Sequence, residues 1–129
     1  MVDLMLEPYA DRQHWRALSA VPWQEILGEY LEGIARRCAK DSACVIGHIK
    51  GLALFPNGCF LRWSVVSAGQ PADVQGAVPA GTAKIELALN VIVYGLSRAR
   101  IEHIVREEAL ALCARRKGVV QFLNEEANE

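Results

Sequence analysis

Six polar residues have the types and spacing that could do chemistry: His48, Lys50, Arg62, Ser64, Glu86 and Asn90. Each sits in a segment where apolar and polar side chains alternate, the period-two pattern of a strand with one covered face. If those segments pair, the six share the opposite face. An imidazole, two cations, a carboxylate, a hydroxyl and a carboxamide on a rigid sheet can bind an anion or move a proton. In the proton-moving version His48, Lys50 and Glu86 are the acid–base groups of a small-molecule enzyme or carrier. The plainer version is a solvated sheet face laced by cross-strand ion pairs such as Lys50–Glu86. The same face also carries Ile46, Leu52, Phe60, Val66, Ile92 and Tyr94. These are too apolar a set to leave in water together, so the face also reads as an interface with a second copy or another protein.

The element that must position these groups is the stretch from Ala43 to Ala68, two apolar runs joined by Pro56-Asn57-Gly58. Pro56 presets the first turn position, and Gly58 can take φ > 0. A three-residue loop follows, with Phe55 facing Cys59, Leu52 facing Arg62, Gly51 facing Trp63, Lys50 facing Ser64 and His48 facing Val66. Val45, Ile49, Phe55, Leu61, Trp63 and Val65 then share the core face, and the Trp63 indole can lie over Gly51. The residues from Lys84 to Tyr94 make a third strand, with Ile85, Leu87, Leu89, Val91 and Val93 on one side.

Two helices flank the strands. One begins at Pro22 and repeats Ile26, Leu27, Tyr30, Leu31, Ile34, Ala35 and Cys38 at helical spacing, with Glu32 and Arg36 as an i,i+4 pair. The other is capped by Ser97, carries Ile101, Ile104, Val105, Leu112 and Cys113, and ends at Gly118. His103 should pair with Glu107 on its surface. A shorter helix is expected from Asp11 to Ala17, burying Trp15 and Leu18. Residues 1–8 read as an arm or edge strand, 69–82 as a flexible loop or a lid closing a pocket on the sheet face, Val119–Leu123 as a short strand or docked tail, and 124–129 as a solvated tail. The order α, α, β, β, β, α in one domain predicts an α+β two-layer sandwich: an antiparallel sheet of three or more strands with two long amphipathic helices on one face.

Composition narrows the function classes. The net charge of −1 supplies no basic field for nucleic acid. No apolar run reaches membrane-spanning length and no secretory pattern opens the chain, so a cytoplasmic protein with free thiols is expected. Cys44 and His48 invite a metal, but four residues of strand span roughly 13 Å. One chain therefore cannot close them on a single ion, although two chains sharing one ion can. No CxxC, GxSxG, GxGxxG or P-loop pattern is present. No cofactor is indicated.

Two phrases, IGHIKG at Ile46–Gly51 and LNVIVYG at Leu89–Gly95, resemble segments of the C-terminal domain of CobW-type GTPases, the metallochaperone and cobalamin-associated family. The resemblance implies a stand-alone accessory domain that serves metal or corrinoid handling by contacting a partner. The family's nucleotide-binding loop and cysteine-rich metal motif are absent, so neither GTP hydrolysis nor that metal site carries over. The expected protein is a small cytoplasmic binding or interaction module, a homodimer acting through its uncovered sheet face.

Overall fold

The computed structural model describes residues 5–41 and 43–123. Its elements run β1 (Tyr9–Ala17), α1 (Trp23–Ala39), β2 (Val45–Leu54), β3 (Phe60–Val65), β4 (Asp73–Gly76), β5 (Lys84–Tyr94), α2 (Arg98–Arg115) and β6 (Val120–Leu123). The six strands form one antiparallel sheet in the order β4-β3-β2-β5-β1-β6. Both helices cover one face, which makes the α+β two-layer sandwich.

The hairpin register follows from its turn. Phe55 N–H donates to Cys59 O at 2.9 Å, and Gly58 has φ +86°. Gly51 then faces Trp63, Leu52 faces Arg62 and Lys50 faces Ser64. A Cβ on Gly51 would stand 3.3 Å from Trp63 Cε3 and 3.0 Å from Leu87 Cδ1, so the indole and the leucine occupy the space that glycine leaves. Trp63 Nε1 donates to Gln24 O at 2.9 Å, which lets a large ring be fully buried without an orphaned donor. The predicted apolar stripe of α1 is buried throughout, and Ser97 Oγ accepts from Arg100 N–H at 3.1 Å as the cap of α2.

Five expectations are corrected. Residues Tyr9–Ala17 form a strand and not a helix. Gln13, Trp15 and Ala17 point inward while Arg12 and His14 are exposed, and that period of two outweighs the capping potential of Asp11. Trp15 is buried as expected, but Leu18 is 63% exposed. The 69–82 segment is not a free loop: β4 pairs with β3, Ala72 N–H donates to Glu32 Oε2 at 2.7 Å, and Thr82 O accepts from Trp23 Nε1 at 3.1 Å. Glu32 is thereby engaged away from Arg36, and the two form no salt bridge. Finally, the pairing of β2 with β5 shifts between Ile46 and His48. This bulge reverses the side-chain phase before Gly47, so Val45 is exposed and Ile46 packs against the core.

Val120–Leu123 is indeed a strand, paired with β1. Leu6 forms an isolated bridge to Tyr94, consistent with an arm or edge segment there. The remainder of that arm, residues 1–4, and the 124–129 tail lie outside the described residues.

Candidate functional site

The face opposite the helices is built in rows, because antiparallel partners stand side by side. One row runs Asp73, Ser64, Lys50, Asn90 and Ala10 across five strands. The next runs Gln75, Arg62, Leu52, Ala88 and Arg12. Lys50 and Arg62 are therefore diagonal neighbours, with Cβ atoms about 7–8 Å apart at most. Arg12 stands three strand spacings from Arg62, roughly 14 Å, with Leu52 and Ala88 between them.

These two rows enclose a hollow of about 590 Å³. Ala10, Leu52 and Ala88 form its floor, Lys50 and Arg62 stand at one wall, Arg12 at the other, and Asn90 lies at one end. Alanine side chains on β1 and β5 open the space, because larger residues there would fill it. The electrostatics are lopsided. Lys50 faces two neutral residues, Ser64 and Asn90, and makes no salt bridge among the described residues. Arg62 faces Leu52 and Gln75, donates to Gln75 Oε1, and lies 5.8 Å from the centre of the Phe60 ring. Arg12 pairs with Glu86 at 3.1 Å, but both side chains are well exposed and the pair is weak.

Of the six polar residues singled out in the sequence, Lys50, Arg62 and Asn90 thus converge on the hollow. Ser64 is in the same row as Lys50. His48 is one row further along, half-buried opposite Ile92. Glu86 is on the same face but four residues beyond Asn90, roughly 13 Å along the strand. It faces His14 and bonds Arg12, so the anticipated Lys50–Glu86 pair does not form. Arg12 was missed because its segment was read as a helix; the polar run Arg12, His14, Arg16 at every second residue was the signal. Of the apolar set, Leu52 and Phe60 are exposed at 37% and 36%, Ile92 and Tyr94 are partly buried, and Ile46 faces the core.

Cys44 is partly buried against the core, and burial raises its thiol pKa. Among the described residues no group of three or more His, Cys, Asp or Glu side chains is gathered closely enough to hold a metal ion. The anchored 69–82 segment packs on the α1 side, where Ala72 and Thr82 meet Glu32 and Trp23, and does not roof the hollow. No described helix is long and apolar enough to cross a membrane. No family model, curated protein or solved structure matches the chain.

Proposed function

We propose that this protein is a small binding module whose working surface is the uncovered sheet face, and that its ligand is an anion with an apolar body. The anionic end sits between Lys50, Arg62 and Asn90, and the body lies over Ala88 and Ala10. The observation that carries this reading is the pair of cations that make no salt bridge among the described residues, at the wall of a hollow of about 590 Å³ floored by Ala10, Leu52 and Ala88. Cationic donors bind carboxylate or phosphate oxygens strongly, and the flat apolar floor adds contact area at little conformational cost.

An acid–base enzyme is less well supported, because Lys50 and Glu86 stand in rows four residues apart. A second reading, coverage of the face by another copy of the chain, is favoured by the exposure of Leu54 and Val66, 71% and 59%. The CobW-like phrases fall on β2 and β5, the two strands at the centre of the sheet, so an accessory role in metal or corrinoid handling would use this same face.

Amide chemical-shift mapping tests the first reading, with phenyl phosphate as probe and benzyl alcohol as its neutral match. Phenyl phosphate should shift Lys50, Leu52, Ala88 and Asn90, and benzyl alcohol should not. Equal shifts from both probes, or shifts scattered elsewhere, would discard the anion site. Sedimentation of the native chain beside Leu54→Asp tests the second: a dimer that the substitution dissociates supports self-association through this face.

A further inference from the structure

The hollow on the open face has a second cationic wall, which an anion held by Lys50 and Arg62 leaves unused. Arg12 on β1 and Arg62 on β3 stand in one row, with Ala88 and Leu52 between them. Three strand spacings separate the two arginines, roughly 14 Å. Strand side chains rise roughly perpendicular to the sheet, so the two guanidiniums stand on opposite sides of the floor and cannot share one small ligand group. The floor between them is apolar, made by Ala10, Leu52 and Ala88.

Arg12 is also the cation most easily recruited. Its partner is Glu86, at 3.1 Å, and the two side chains are 77% and 48% exposed. A pair so open to water contributes little, and a second anion over the floor can draw Arg12 away from it. The wider face is biased the same way. Arg12, Arg16, Lys50, Arg62 and Lys84 lie on it, against Asp73 and Glu86 among the described residues, in a chain whose net charge is −1. The acidic excess of the chain therefore lies elsewhere, and a doubly negative ligand gains more from this local field than a singly negative one.

Resting on the reading of this face as an anion site, we propose that its ligand is a linear α,ω-dicarboxylate. One carboxylate sits between Lys50, Arg62 and Asn90. The methylene chain lies over Leu52, Ala88 and Ala10. The second carboxylate takes Arg12 from Glu86, in the two-pronged geometry that guanidinium and carboxylate share. A gap of roughly 14 Å, less one hydrogen-bond length of about 3 Å at each end, suits a diacid of about eight to ten carbons. A four-carbon diacid is too short to reach both walls.

Isothermal titration calorimetry of the full chain with suberate, octanoate and succinate tests this, with phenyl phosphate as the single-anion reference. Suberate and octanoate both have eight carbons and differ in the second carboxylate. Suberate should bind about fivefold more tightly than octanoate, and more tightly than succinate by at least as much. Arg12→Gln should erase the advantage of suberate over octanoate. Glu86→Gln frees Arg12 and removes a like charge, so it should tighten suberate binding severalfold. Arg12 and Glu86 are exposed, so neither substitution threatens the fold. Equal affinities for suberate and octanoate, succinate binding as tightly as suberate, or a suberate affinity unchanged in Arg12→Gln would each overturn the dicarboxylate. If phenyl phosphate still binds in that event, the single-anion site stands without it. No binding of suberate or of phenyl phosphate overturns both.

Discussion

Two glycines in α1 should respond to alanine with opposite signs. A Cβ on Gly33 would stand 2.1 Å from Glu108 Oε2 and 2.3 Å from its Cδ. Glu108 is 3% exposed, and its carboxylate binds Arg37 Nε at 2.7 Å and Arg115 Nη2 at 3.1 Å, tying α2 to α1. The carboxylate can swing away from a new methyl group, but only by giving up some of these partners. Breaking a buried pair costs about 3–5 kcal/mol, while alanine in place of a helical glycine returns about 1 kcal/mol. Partial re-pairing of the arginines, 32% and 41% exposed, trims the loss. Gly33→Ala should therefore lower stability by about 2 kcal/mol, or roughly 8 °C in Tm for a domain of this size. At Gly28 the nearest atoms to an added Cβ are Trp63 Cδ1 at 3.6 Å and Ala72 Cβ at 3.7 Å, ordinary contact distances. Gly28→Ala should be neutral or stabilising by up to about 1 kcal/mol. Urea unfolding followed by circular dichroism measures both. Equal effects in the two variants, or a stabilised Gly33→Ala, would refute the role assigned to the Glu108 pocket.

Other expectations follow from the same structure. Gly76 has φ +102°, and a Cβ there would fall 2.0 Å from Phe60 O, so Gly76→Val should detach β4 and cost about 2 kcal/mol or more; hydrogen exchange at Ala77, whose N–H donates to Phe60 O, should rise sharply. Burial pushes the Cys38 thiol up from 9.0 to about 12. The unfolded chain therefore loses that proton first, so the stabilisation is full below pH 9 and is lost as pH rises toward 12. Unfolding free energy measured across that window should fall, and Cys38→Val should fall less steeply; an identical slope would contradict the assignment. Alkylation of native Cys38 at neutral pH should be far slower than in urea, because the thiolate is scarce and the sulfur is buried.

Much of this architecture was legible in the residues. Pro56-Asn57-Gly58 specified the hairpin register because a single turn geometry determines which residues face each other. The stripes of α1 and α2 were readable because their core contacts repeat at helical spacing. The β1 strand was misread because Asp11 resembles a cap and its inward stripe is half polar, which weakens the period-two signal. The bulge at Gly47 had no such signal, since one extra residue leaves composition unchanged yet reverses Val45 and Ile46. For the candidate site, Lys50, Arg62 and Asn90 were legible from alternation alone. Arg12 and the hollow were not, because both depend on β1 pairing with β5, a contact between residues more than seventy positions apart in sequence.

The anion site is the central claim, and calorimetric titration with phenyl phosphate tests it most directly. The native chain should bind with an affinity that falls as salt is raised. Lys50→Gln and Arg62→Gln should each weaken binding about tenfold while leaving the unfolding transition in place. An affinity indifferent to salt and to both substitutions would mean that the uncovered face does not work by holding an anion.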